Sequence, residues 1–227
     1  MNISAKDVKD LREKTGLGMM ECKKALEEAG GDSDLAITNL RKNSALKAEK
    51  KSSRTAVEGV ILSDTSDSSN SILIEINCET DFVAKNSSYL ALAKSLADQA
   101  LKYETLENFL SSDFDGMSVS EKLIEQTGVI GEKIEIGAFK KLTAPYIGSY
   151  IHAGNKIATL VGLSGIVDNA AEISKNIAMQ AAAMNPIALD EESVDALIIQ
   201  KEIEIAKEQL RQEGKPEDRN RGIFLAT

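Results

Sequence analysis

Ser71-Ile72-Leu73-Ile74-Glu75-Ile76-Asn77 decides the reading of the fold. Ile72, Ile74 and Ile76 alternate as one apolar face of a strand, the period-2 signature of a half-buried sheet. Upstream, Val57–Leu62 is a second β-rich run, and the polar spacer Ser63–Asn70 reads as the hairpin loop between the two. Downstream, the spacing predicts a helix over Ser88–Lys102 with Tyr89, Leu92, Ala93, Leu96 and Ala100 facing inward. Ser118-Val119-Ser120-Glu121 is a capping box that opens another helix, which ends before Gly131.

Working outward, residues 133–185 repeat the plan. Ile134–Leu142, Tyr146–His152 and Lys156–Leu163 read as strands, with Gly154-Asn155 a tight turn. Asp168 opens a helix that runs to Met184 and breaks at Asn185-Pro186. Leu96–Ala100 and Ile177–Ala181 share a local pattern, so an old duplication and the general likeness of alanine-rich amphipathic helices are both open. Ser193 opens a last helix in which Ala196, Ile199, Ile203, Ala206 and Leu210 make a coiled-coil-like seam, stopped by Gly214-Lys215-Pro216. Before the sheet, Ser4 and Asp7 cap a first helix that buries Val8 and Leu11 and stops at Gly16-Leu17-Gly18. Met19–Ala29 makes a second, ended by Gly30-Gly31, and Asp32 or Ser33 caps a third that buries Leu35, Ala36 and Leu40. Residues 43–54, with Lys47, Lys50, Lys51 and Arg54, read as a polar linker. The fold class is α+β: an N-terminal three-helix bundle, two strand–strand–helix core subdomains and a C-terminal coiled-coil-like helix. The expected units are 1–54, 55–142, 143–190 and 191–227.

The 227 residues suit two or three modules, and hydrophobic content of 42% supplies a core. A net charge of −9 argues against a protein that coats nucleic-acid phosphates. The acidity is uneven: residues 1–54 hold 12 Lys+Arg against 9 Asp+Glu, a net +3, and the remainder carries −12. That polarity orients an encounter with a charged surface. No apolar run approaches the ~18 residues of a membrane span, and the start has neither a signal-peptide core nor an Arg-rich transit character. A cytoplasmic, reduced protein is expected.

Enzyme chemistry is poorly supplied. The chain has one histidine, two cysteines and no tryptophan. It lacks GxxxxGK[ST], GxGxxG and GxSxG, so no phosphate loop or nucleophile elbow is expected, and neither is a cofactor or metal. Cys22 and Cys78 read as small core residues. A thiol enzyme pairing Cys78 with His152 has no spacing to support it. The segment that stands out is Asn77-Cys78-Glu79-Thr80-Asp81-Phe82-Val83-Ala84-Lys85-Asn86. It leaves the core strand directly, so Asp81 and Phe82 fall on a strand-end loop. There Phe82 either enters a partner's crevice, held rigid by the strand, or roofs the local core.

Thr80-Asp81-Phe82-Val83-Ala84-Lys85-Asn86 resembles the signature of the bacterial translation elongation factor Ts family. Val8–Leu26 is similar to that family's N-terminal signature, and Ile130–Ile134, Gly148–His152 and Ala182–Pro186 match it in order and spacing. The likeness covers about residues 2–216. It implies a guanine-nucleotide exchange factor for elongation factor Tu, with a ubiquitin-associated-like N-terminal domain and a core of two α/β subdomains. Thr80, Asp81, Phe82 and Val83 fall in the segment that intrudes near the partner's magnesium and nucleotide, with Phe82 as wedge and Asp81 as polar positioning residue. Ile130, Gly131 and His152 match an adjoining contact surface. Arg12, Met19 and Met20 fall on or beside the N-terminal contact face, although the methionines read equally well as core. No direct nucleic-acid or membrane partner is implied. Gln180 stands where many members carry histidine, and Glu217–Thr227 does not follow the family pattern. A truncated, frame-altered or naturally short member is expected. In such a chain Ile199, Ile203 and Leu210 are free for self-association. The alternative function is an adaptor or remnant that binds the GTPase without efficient exchange.

Overall fold

The capping residues act as their chemistry dictates. In the computed structural model, which describes residues 3–66 and 68–214, the Ser4 Oγ accepts from the Asp7 N–H while the Asp7 carboxylate accepts from the Ser4 N–H. This box opens α1 (Ala5–Thr15), closed by Gly16 in the left-handed region. α2 (Met19–Glu28) ends where the Gly31 N–H bonds to the Leu26 carbonyl and the Gly30 N–H to that of Glu27. This paired arrangement needs the positive φ of Gly30. Asp32 caps α3 (Ser33–Lys51). Val8, Leu11, Leu17, Cys22, Leu26, Ala36 and Leu40 form the core of these three helices.

Two sequence expectations fail here. Leu35 is exposed, and Ala36, Leu40 and Ser44 carry the buried side. Residues 43–51 are not a linker but the last turns of α3, a 19-residue helix. The cause is tertiary. Ser44 is buried against α7 (Val119–Ile130), where a Cβ at Gly128 would lie 2.4 Å from the Ser44 Oγ. A glycine at that crossing lets the two backbones approach, and the contact holds the lysine-rich end of α3 helical.

β1 (Glu58–Ser66) and β2 (Asn70–Cys78) pair antiparallel from Glu58↔Cys78 to Ser66↔Asn70. The spacer read as a loop is thus mostly strand, and only residues 67–69 lie between. Ile72, Ile74, Ile76 and Cys78 are fully buried, as their alternation requires. α4 (Asp81–Ala84) follows at once, then α5 (Ser87–Ala100), whose Tyr89, Ala93, Leu96 and Ala100 join the same core with Leu92 partly covered. The Tyr89 hydroxyl donates to the Ile76 carbonyl at 2.5 Å, which ties helix to strand. α6 (Leu106–Leu110) and the short pair β3 (Asp113–Phe114) and β4 (Met117–Ser118), which the sequence reading did not assign, lead into α7. Its Ser118–Glu121 capping box and Gly131 stop are as expected.

β5 (Glu135–Thr143) pairs with β2, giving the three-stranded order β1-β2-β5, so it belongs to the first sheet and not to the repeat that follows. β6 (Tyr146–Ile151) and β7 (Ala158–Leu163) form a separate hairpin backed by α8 (Ala170–Met184). Asn169, one residue after the expected Asp168, is the cap of α8. The hairpin is joined to the first sheet by backbone bonds from the Ile61 N–H to the Asn155 carbonyl and from the Ile147 N–H to the Ser68 carbonyl, at 2.8 and 2.7 Å. α9 (Ala196–Gln212) starts at Asp195, because Ser193 is held in a preceding 3-10 turn by Asp190. Along its seam Leu210 is buried, Ile199, Ile203 and Ala206 are half-buried, and Ala196 is exposed. The divergent ending, Glu217–Thr227, lies outside the described residues.

Candidate functional site at one end of the sheet

β2 delivers its last residue, Cys78, to the end of the sheet where β1 begins, and the chain turns there into α4. Thr80 caps this single turn: it has extended backbone (φ −128°, ψ 153°), and its Oγ1 accepts from the Val83 N–H at 3.5 Å. A four-residue helix cannot sustain itself, because nucleation costs more than one turn returns. Neighbouring side chains fix it. The Glu132 carboxylate accepts from the Glu79 N–H at 3.1 Å, the Thr80 N–H at 3.0 Å and the Thr80 hydroxyl at 2.6 Å. Reciprocally, the Glu79 carboxylate accepts from the Lys133 N–H at 2.7 Å and from the Arg54 guanidinium at 3.0 Å. Two loops more than fifty residues apart are therefore clasped by exchanged carboxylates. The Lys133 N–H, then the Arg54 guanidinium, hold the Glu79 carboxyl below its ordinary value.

The side chains carried by this turn divide cleanly. Val83 packs against the main core. Phe82 is 83% exposed, which excludes the reading that it roofs the core. Asp81 pairs with Lys85 at 2.7 Å, one helical turn on. That ammonium lowers the Asp81 carboxyl pKa, with a smaller contribution from Lys156, and Asp81 in turn raises Lys85. Cys78 and Cys22 are buried free thiols. Burial raises the Cys78 thiol and its Sγ donates to the Thr80 carbonyl, an arrangement suited to packing and not to nucleophilic attack.

The other expected site residues lie on different elements. Ile130 is partly buried on the main core, and Gly131 closes α7 at φ 85°, its carbonyl accepting from the Lys51 ammonium of α3. Gly131 immediately precedes Glu132, the residue whose carboxylate bonds Thr80. The turn between α1 and α2 rests against Val129, the residue before Ile130. α2 begins with Met19 and Met20, 43% and 76% exposed and so not core residues, while Arg12 is exposed on α1. His152 is exposed after β6, its Nδ1 2.8 Å from the Tyr150 hydroxyl. Its turn is tied to the start of β1 by Lys156–Glu58 at 2.6 Å. Glu58 and Lys156 lie outside every motif, Arg54 falls in the expected linker, and Glu79 and Lys85 stand in the strand-end segment with no partner assigned to them. Glu132 and Lys133 lay inside a quoted motif, but nothing local shows what they reach. Among the described residues no cluster of His, Cys, Asp and Glu could hold a metal ion, and no helix is long and apolar enough to cross a membrane.

A sequence model of the family described as Elongation factor TS matches residues 79–223, from the clasp onward. The chain is 57% identical over 217 residues to Elongation factor Ts of Christiangramia forsetii, an overlap covering 95% of this chain and 79% of that one. It is 55% identical over 216 residues to Elongation factor Ts of Flavobacterium psychrophilum, with the same coverage. It is 43% identical over 225 residues to Elongation factor Ts of Chloroherpeton thalassium, 95% and 78% of the two chains. The chain belongs to the elongation factor Ts family. In this member the family-signature segment from Thr80 to Asn86 is the clasped turn that carries Phe82 into solvent.

Proposed function

We propose that this chain is a guanine-nucleotide exchange factor for elongation factor Tu, acting in the elongation stage of protein synthesis. It speeds GDP release by pressing Phe82 into the magnesium and phosphate region of the GTPase. The observation that carries this reading is a phenylalanine 83% exposed at the tip of a turn whose backbone is tied down on both sides. An exposed aromatic on a floppy loop would lose its binding energy to ordering; on a fixed turn that cost is already met.

Exchange makes and breaks no covalent bond, so the chain needs no nucleophile and is not an enzyme in the chemical sense. It binds best to the GTPase state that holds nucleotide poorly. By linkage, the factor by which it weakens GDP is the factor by which GDP weakens it. Magnesium tolerates little distortion of its octahedral shell, so a rigid wedge that shifts the supporting loops loosens nucleotide without touching it. Asp81, ionised beside Lys85, serves as the polar partner of the wedge. Thr80 and Val83 anchor the turn, and Ile130, Gly131 and His152 form the adjoining contact face. Arg12, Met19 and Met20 add the contact of the helical module. The setting is the cytoplasm, with neither nucleic acid nor membrane as a direct partner. Self-association through Ile199, Ile203 and Leu210 would require Leu210 to be uncovered.

The test is release of a fluorescent GDP analogue from elongation factor Tu with and without this chain. Acceleration that rises with its concentration is the expected result. Stable binding with no acceleration would contradict the proposal.

A further inference from the structure

Glu132 bonds to Thr80, the cap of the turn that carries Phe82. Both its carboxylate oxygens are spent on two residues, Glu79 and Thr80, which lie just beyond the β1–β2 ladder that ends at Cys78. Without it those two N–H groups, in a partly buried site, have no protein acceptor. Glu132 itself is rigidly supported. It sits one residue past the left-handed Gly131 that closes the 12-residue α7, and three before β5, which is zipped to β2. Lys51 grips the Gly131 carbonyl, and Glu79 grips the Lys133 N–H, so the residues on either side of Glu132 are held as well. The two carboxylates have separate partners: Glu132 accepts from the Glu79 and Thr80 N–H groups and the Thr80 hydroxyl, and Glu79 from the Lys133 N–H and the Arg54 guanidinium.

From this geometry we propose that Glu132 is a positioning residue for exchange: it makes no contact with the GTPase and acts by fixing the Thr80 backbone from which Phe82 projects. The inference rests on the reading of Phe82 as the wedge. A positioned turn matters because even a small misplacement of a rigid group lowers its effect.

The experiment compares the wild-type chain with Phe82→Ala, Glu132→Ala, Glu132→Gln and the double variant Glu132→Ala/Phe82→Ala. GDP release from elongation factor Tu is followed together with amide hydrogen exchange at Glu79 and Thr80. Glu132→Ala should lower the acceleration about tenfold, the scale of one lost charge-assisted bond, and speed exchange of those two amides while the amides of β2 and α5 stay protected. Glu132→Gln keeps an acceptor for both N–H groups and should restore most of the acceleration. The double variant should be no slower than Phe82→Ala alone, because Glu132 acts only through the wedge. Wild-type acceleration by Glu132→Ala, no rescue by glutamine, or a double variant well below Phe82→Ala would each overturn the proposal. If Glu132→Ala fails to fold, Glu132→Asp replaces it. Its charge is kept and its reach shortened, so reduced acceleration supports the proposal and wild-type acceleration overturns it. A wild-type chain that does not accelerate release, or a Phe82→Ala variant equal to wild type, sinks the exchange reading itself.

Discussion

At the residue scale the carboxylates of Glu79 and Glu132 fix the turn that carries Phe82 into solvent. The isoleucines of β2 and the caps of α1 and α7 were legible because each is a pattern within a few residues, and all are realised. Phe82 was legible as notable but not as exposed, since an aromatic at a strand end has two homes and only the packing of Val83 beneath it decides between them. The Glu79–Lys133 and Glu132–Thr80 pairs join residues 54 and 52 positions apart and leave no periodic trace. Their consequence is testable through pH. The Glu79 carboxyl is depressed in the folded chain by the Lys133 N–H and Arg54. Its contribution is therefore present above the unfolded carboxylate value and is lost as pH falls through the folded one. Glu79→Ala strands a partly buried N–H and should cost about 1–2 kcal/mol at neutral pH. In thermal melts across the acidic range, the gap between the variant and the wild-type chain should narrow as pH drops below the ordinary value of 4.5. A gap independent of pH would contradict the clasp.

At the element scale two crossings use the same device. Gly128 of α7 meets the buried Ser44 of α3, and Gly148 of β6 meets the buried Ser174 of α8, where an added Cβ would stand 2.2 Å from the serine Oγ. Small against small lets backbone meet backbone, and nothing in either segment alone announces it. This is why α3 was read as ending near residue 43: Lys47, Lys50 and Lys51 look like linker residues until α7 is laid beside them. Gly128→Ala should destabilise the fold by about 1–3 kcal/mol through overpacking, measured by denaturant melts. Adding Ser44→Gly should recover part of that loss. Full tolerance of Gly128→Ala would show that the crossing is looser than described. The polar ends of β1 were misread for a related reason, since Ser63–Ser66 form a strand by pairing with β2 and not by their own propensity.

At the scale of the whole molecule, one end of the sheet gathers groups distant in sequence: Lys51 at the end of α3 and Arg54 just after it, Glu79 just after β2, Gly131 capping α7, and Lys156 of the β6–β7 turn. The helical module, net +3, is thereby fixed to a core that carries the excess of negative charge. Among the described residues of α9, Leu210 is the one buried side chain. In native-state hydrogen exchange its amides should therefore exchange much faster than those of α3, α7 and β2. Equal protection would place α9 in the same cooperative unit.

Exchange depends on one exposed ring held by a fixed turn, and stopped-flow GDP release from elongation factor Tu reads that dependence out. Phe82→Ala removes a side chain that contributes little to the core, so the melting temperature should match wild type while the acceleration of release falls by an order of magnitude or more. A folded Phe82→Ala chain that releases GDP as fast as the wild-type chain would contradict the account.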